Sequence, residues 1–181
     1  MGNLIIFEII VVVLSGGLLL ALKKKNKEVV KRFFLLSIGI LIFEMFTSPL
    51  WHNVGLDPWA YLYMDVSWIL TIGWASILLF SMTFVDYVSK AKEKVKFFYY
   101  LCIASFLGLV AEAWVILLGI RSYSPEVNAI LIGKYIPLTG VPVEAIYYIP
   151  VFMALVIGFA RYFEMATTLT EKRKKKNGMR N

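Results

Sequence analysis

The sequence predicts an all-α integral membrane protein, a five-helix transmembrane bundle, and three observations carry that prediction. The chain is 60% hydrophobic with a mean hydropathy of +0.74, above the roughly 45–50% apolar content of an average soluble domain. Several uninterrupted apolar runs approach or exceed the roughly 20 residues that carry a helix across a hydrocarbon core about 30 Å thick. Lys and Arg gather between alternate runs, and no succession of short alternating strands suggests a β-barrel.

The first span runs from Leu4 to Leu22. It lacks a basic leader and is followed by lysines, the reverse of a cleavable signal peptide, so it is expected to remain as the first helix. The second runs from Phe33 to about Trp51, the third from about Trp59 to Val88, the fourth from Phe97 to Ile120 and the fifth from about Ile136 to Phe163. The third and fifth are long enough to tilt or to extend along the interface. The segments "KKKNKEVVKR" (Lys23 to Arg32), "KAKEKVK" (Lys90 to Lys96) and the closing "EKRKKKNGMRN" are basic, whereas the linkers near Pro58 and from Arg121 to Lys134 are not. The positive-inside rule then places the N-terminus outside and the C-terminus in the cytoplasm, as expected of a multi-pass protein of the cell membrane. That orientation and attraction to anionic membrane lipids account for the net charge of +7, so no nucleic-acid partner is expected. The chain divides into one five-span domain, residues 1–166, and a basic cytoplasmic tail, residues 167–181.

The spans after the first carry a duplicated pattern. Glu44 has Phe46 two residues on, and Glu112 has Trp114 two residues on. Pro58 precedes Asp65 by seven residues and Trp68 follows it by three; Pro137 precedes Glu144 by seven and Tyr147 follows it by three. A parallel repeat of a two-helix unit, about 33–88 and 97–163, is therefore expected. Such repeats build sites at their interface.

Four acids stand out against this apolar background. At about 1.5 Å per residue, Glu44 lies roughly 18 Å and Glu112 roughly 22 Å from the basic ends of their spans, while Asp65 and Glu144 lie roughly 10 Å in from the outer prolines. One acid from each of four helices thus reaches one layer. Acids at depth are costly and usually mark a site, and crowded carboxyls in low dielectric share protons rather than all ionising. Glu8 sits nearer the outer boundary, where water could satisfy it. Arg121 and Lys134 are within snorkelling reach of Glu112 and Glu144, an arrangement that would make the acids structural.

Aromatic side chains surround the layer. Trp68, Trp74, Trp114 and Tyr147 lie deep, Tyr148 is on the face of Glu144, and Trp51 and Tyr123 fit an interfacial belt beside it. Of these, Trp51, Trp68, Trp114, Tyr123, Tyr147 and Tyr148 are the candidates to line a substrate, since aromatic faces stabilise a cation. His52, beside Asn53, reads as a polar cap at the rim. Cys102 and His52 are the sole cysteine and histidine, which leaves too few ligands for haem, di-iron or zinc. There is no Walker loop, Rossmann glycine pattern or nucleophile elbow. No metal and no cofactor are expected, and the chemistry falls to carboxyls, hydroxyls and rings.

The stretches "GLVAEAWVILLGIRSY" and "LTGVPVEAIYYIPVFM" resemble the small membrane carotenoid and isoprenoid enzymes, the lycopene-cyclase domain and the related carotenoid hydratases. The resemblance covers about Gly108 to Met153 and rests on Glu112, Tyr123, Pro142 and Glu144. It implies metal-independent protonation of a polyene. The pattern departs from the family where Ala145 stands in place of a second acid, and in the outer loop "SYSPEVNAILIGKY".

The expected function is a membrane enzyme, a cyclase, isomerase or hydratase, acting on a lipid-soluble isoprenoid-type molecule by protonation and carbocation guidance. Glu112 and Glu144 would serve as acid and base, with Asp65 and Glu44 tuning them. A proton- or cation-coupled solute transporter or binding protein could use the same acids, and a scaffold subunit could pair them with a partner helix. The sequence leaves the oligomeric state open.

Overall fold

A computed structural model describes the backbone of residues 4–178 and the side chains as far as Thr167. Of the basic tail, only the helical backbone to Gly178 falls within it; the tail's side chains beyond Thr167 lie outside the described residues. The described residues form six α-helices and two small antiparallel ribbons, with short 3-10 turns at Ser48–Leu50 and Pro58–Ala60: α1 (Leu4–Lys23), α2 (Glu28–Thr47), β1 (Trp51–Asn53), β2 (Tyr61–Tyr63), β3 (Val66–Ser67), α3 (Trp68–Val88), α4 (Glu93–Leu117), β4 (Arg121–Tyr123), α5 (Pro125–Ile130) and α6 (Ala145–Gly178). Among the described residues, five helices are long and apolar enough to cross a membrane: Leu4–Lys23, Glu28–Leu50, Trp68–Val88, Glu93–Leu117 and Ala145–Thr167.

Local chemistry sets the helix ends. Asn26 Oδ1 accepts from the Glu28 amide at 2.9 Å at the start of α2, and Ser67 Oγ accepts from the Leu70 amide at 3.4 Å at the start of α3, in each case satisfying an amide the helix leaves orphaned. The four helices α2, α3, α4 and α6 pack in a closed ring in that order, while α1 lies outside it against α3 and α2. The ring core is built from Leu36, Ile40, Leu78, Leu79, Met82, Met153 and Ile157, all fully buried. Gly108 brings α4 close to α6, since a Cβ there would stand 2.7 Å from Met153 Cε and 3.1 Å from Ile149 Cγ2.

The long third and fifth spans are shorter than their apolar runs. The residues Tyr61 to Ser67 form a hairpin, Tyr61 opposite Ser67 and Tyr63 opposite Val66, turning through Met64 at φ +45°. Its β-branched and aromatic residues suit a strand as well as a span, and α3 begins only at Trp68, not at about Trp59. The fifth helix likewise begins at Ala145 rather than about Ile136, because an isolated bridge between Tyr135 and Pro142 and the turn at Gly140 (φ +68°) occupy the intervening chain. Strand β1 pairs with β4 in the register Trp51 with Tyr123, His52 with Ser122 and Asn53 with Arg121. This ribbon joins the ends of α2 and α4 and covers one end of the ring.

The opposite end, where the basic loops lie, is closed by ion pairs. Arg32 reaches Asp86 at 2.9 Å and Glu164 at 2.6 Å, Lys96 reaches Asp86 at 3.3 Å, and Tyr100 donates to Asp86 at 2.5 Å. Arg161 pairs with Glu164 at 3.1 Å and also with Glu93. The network ties α2, α3, α4 and α6 together.

Candidate functional site

Alternation along β1 and β4 decides which of their side chains face the bundle. Trp51 and Asn53 share one face of β1, Arg121 and Tyr123 one face of β4, and the latter pair hang toward Glu112. Glu44 on α2 and Glu112 on α4 rise to meet them, only 3% and 2% exposed. A small cavity of about 20 Å³ lies among Phe43, Glu44, Trp51, Trp74, Glu112, Arg121, Tyr148, Ile149 and Phe152. That volume holds about one water.

The two acids have unlike surroundings. Glu112 is satisfied on both oxygens: Arg121 Nη1 donates to Oε2 at 2.9 Å and the Tyr123 hydroxyl to Oε1 at 2.9 Å. Tyr148 hydrogen-bonds Tyr123 in turn, so a hydroxyl chain ends on a carboxylate. Arg121 also donates from Nε to Asn53 Oδ1 at 2.8 Å and lies over the Trp51 ring at 5.2 Å. Burial works against the guanidinium charge, but the Glu112 charge beside it more than reverses that and raises its pKa. Burial and the Glu112 charge push the Tyr123 phenol far above the ordinary tyrosine range, so it stays a donor.

Among the described residues no cation is bonded to Glu44. Thr71 Oγ1 lies 2.6 Å from Oε2 and 2.9 Å from the Ser67 carbonyl. A hydroxyl has one proton and a carbonyl can only accept. Both contacts are satisfied together when Thr71 donates to Ser67 and the Glu44 carboxyl donates to Thr71. Among the described residues the other oxygen, Oε1, has no partner, and neither has Arg121 Nη2. Both residues line the cavity.

A continuous row of rings runs past this carboxyl. Trp74 meets Phe152 edge-on at 5.9 Å, Phe152 meets Phe43 at 4.4 Å, and Phe43 stacks on Trp51 at 6.2 Å. On its far side Trp74 forms part of the wall of an open apolar groove of about 600 Å³ between α1, α3 and α4, lined also by Phe7, Val11, Gly73, Val110 and Trp114.

The structure separates the four acids that the residue count placed in one layer. Asp65 is not inside a span: it sits in the β2–β3 turn, where His52 Nδ1 meets its Oδ2 at 2.8 Å and both are partly exposed. The helical rise of the residue count does not apply there, because Tyr61 to Ser67 is a hairpin. Glu144 immediately precedes α6, and its Oε1 accepts from the Ile132 amide at 2.7 Å, tying down the long loop. Of the aromatic candidates, Trp51 and Tyr148 line the cavity, Tyr123 is bonded to two of its lining residues, Glu112 and Tyr148, and Trp114 stands at the groove. Trp68 instead donates to the Trp59 carbonyl at 2.7 Å, and Tyr147 is 75% exposed on the outer face of α6. Glu8, expected near water, is fully buried and accepts from the Asp57 amide at 2.6 Å. Sequence reasoning missed Phe43, Thr71 and Phe152, which are ordinary span residues by composition. Asn53 reads from the sequence only as part of a polar rim, whereas Arg121 is within snorkelling reach of Glu112, the arrangement that makes that acid structural, and the structure forms this pair at 2.9 Å. No family of known proteins, no curated protein and no solved structure matches the chain.

Proposed function

We propose that the protein is an enzyme of the cell membrane that protonates a carbon–carbon double bond of a lipid-soluble, isoprenoid-type molecule and steers the resulting carbocation to an isomerised, cyclised or hydrated product. The observation that carries this reading is the Glu44 carboxyl, with one unpartnered oxygen, set in a cavity lined by Phe43, Trp51, Trp74 and Phe152. The basic loops face the cytoplasm, the ribbon end faces outward, and the two helix pairs α2–α3 and α4–α6 are repeats of one unit. The antiparallel pairing of β1, which follows α2, with β4, which follows α4, supports that relation.

Glu44 is the general acid. Arg121 and Glu112 cancel each other's charge, so an ionised Glu44 would be an uncompensated charge in an apolar box. Glu44 gives its proton to one alkene carbon, the π pair forms the new C–H bond, and the neighbouring carbon becomes cationic. The ring faces and the newly formed Glu44 carboxylate stabilise that cation. Return of a proton from an adjacent carbon to Glu44 forms a shifted alkene and restores the acid. Where the π pair of a second double bond in the chain first adds to the cation, forming the C–C bond of a ring and moving the charge, the same proton return gives a ring-closed alkene. Capture by water, with its proton passing to Glu44, gives an alcohol. The resting cavity has room for a water only, so the substrate waits in the α1/α3/α4 groove and its reacting bond reaches Glu44 when Trp74 swings aside.

The test is deuterium transfer. Protein in nanodiscs is incubated with isoprenoid extract in D2O, and apolar products are read by mass spectrometry. Wild type should place deuterium on carbon, and Glu44→Gln should not; equal labelling by both would refute the role of Glu44. Proton flux into proteoliposomes without any labelled isoprenoid would point instead to ion-coupled transport.

A further inference from the structure

In the ring order of the bundle, the α3–α4 edge and the α6–α2 edge lie on opposite sides. The 600 Å³ groove opens on the first. A second apolar groove, about 270 Å³, opens on the other, between Gly39, Ile42, Phe43, Phe46 and Thr47 of α2 and Leu155, Val156 and Phe159 of α6. Each groove shares a wall with the central cavity, Trp74 on one side and Phe43 on the other. The row Trp74, Phe152, Phe43 therefore joins the two grooves through the bundle, passing beside Glu44.

We infer that the α2/α6 groove is a second binding subsite, which takes the far part of the same chain-like molecule whose near part lies in the α1/α3/α4 groove. The inference rests on the proposed reaction at Glu44 and gives its substrate a shape: a linear apolar chain threaded across the bundle, with the reacting bond in its interior. Its occupant follows from continuity. A single-ended substrate would need one groove abutting the cavity, and here two do, each stopped by one aromatic ring. Gly39 sets the floor of the second groove, since its bare backbone lets Phe159 and Val156 approach within 3.1 and 3.3 Å of a would-be Cβ.

The probe is a linear polyprenyl hydrocarbon carrying a diazirine at each end, photolysed with the full-length protein in nanodiscs. Crosslinked peptides are mapped by mass spectrometry, and deuterium transfer is measured on the same preparation. Threading predicts single probe molecules that bridge residues of α4 to residues of α6 or α2. Leu155→Trp, at an exposed groove position, should reduce bridging about tenfold, the equivalent of about 1.4 kcal/mol of lost binding, while labelling in the α1/α3/α4 groove persists. Val110→Trp, also exposed, is the reciprocal variant and should reduce labelling of its own groove. Single-ended labelling of the α1/α3/α4 groove without bridges would overturn the second subsite. So would labelling of the α2/α6 groove by a diazirine phospholipid that the polyprenyl does not displace, which would make it an ordinary lipid contact. Deuterium transfer retained without bridges removes the subsite alone; loss of transfer in wild type removes the reaction on which it rests.

Discussion

Two arginines organise the two ends of the bundle, and they do so in opposite ways. At the basic end Arg32 shares its acids: Asp86 also holds Lys96 and Tyr100, and Glu164 also holds Arg161. At the ribbon end Arg121 is the one cation bonded to Glu112 among the described residues, its side chain is 5% exposed, and its Nη2 is left without a partner. Redundant, part-buried ion pairs that share partners fail gradually, because each acid keeps another donor when one is lost. A single buried pair beside an unsatisfied cavity is costly to hold and costly to break. The first arrangement clamps helices; the second leaves Glu44 Oε1 and Arg121 Nη2 without partners among the described residues, beside a cavity both residues line.

The sharpest way to break this comparison is to remove each arginine. Arg121→Met strands Glu112 in an apolar setting and should cost about 3–5 kcal/mol, read as the fall in unfolding free energy in a mild detergent. Adding Glu112→Gln should recover much of that loss, because no bare charge remains. Arg32→Met should cost only about 1–2 kcal/mol, since both of its acids keep other partners. Equal losses at the two ends would show that the network around Asp86 is not redundant.

The difference between the ends was only partly legible in the sequence. Basic loops and long apolar runs give the five spans, and a regular count from those loops gives Glu44 and Glu112, because α2 and α4 are helical all the way from the loop to the acid. The same arithmetic fails for Asp65 and Glu144, where the chain spends its length on a hairpin and a loop before the helix begins. Arg121 was within sight of Glu112 in the sequence, but its other partner, Asn53, lies 68 residues away. That contact exists because β1 pairs with β4, a pairing between three-residue strands that no local pattern announces. The basic-end network was likewise hidden, since Lys and Arg there read simply as topology.

Alkali offers a third probe, specific to the ribbon end. Tyr123 has its pKa raised by burial and by Glu112, so the folded state keeps a proton that the unfolded chain gives up near the ordinary tyrosine value of about 10. Stability from this group is complete below that pH and falls above it, by about 1.4 kcal/mol per pH unit. Tyr123→Phe should flatten the alkaline limb of a stability–pH curve relative to wild type, while lowering stability near neutrality through the lost bond to Glu112. An unchanged alkaline slope would mean that Tyr123 does not carry this dependence.

The smallest expected effect is the most informative about the reaction. If Glu44 holds a proton and donates it to Thr71, Glu44→Gln keeps a donor in the same place, because an amide NH₂ can reproduce that hydrogen bond. The variant should then unfold within about 0.5 kcal/mol of wild type, well inside the spread of ordinary neutral substitutions. Glu112→Gln is the counterpart: it removes an anion from a buried guanidinium and should cost about 3–5 kcal/mol. Infrared spectra add a readout that stability alone lacks, since the wild type should show a protonated-carboxyl C=O band that Glu44→Gln abolishes and Asp65→Asn, altering a partly exposed acid, leaves in place. A Glu44→Gln variant as unstable as Glu112→Gln, with no such band lost, would mean that Glu44 is ionised, and the acid that starts the proposed reaction would have to be sought elsewhere in the bundle.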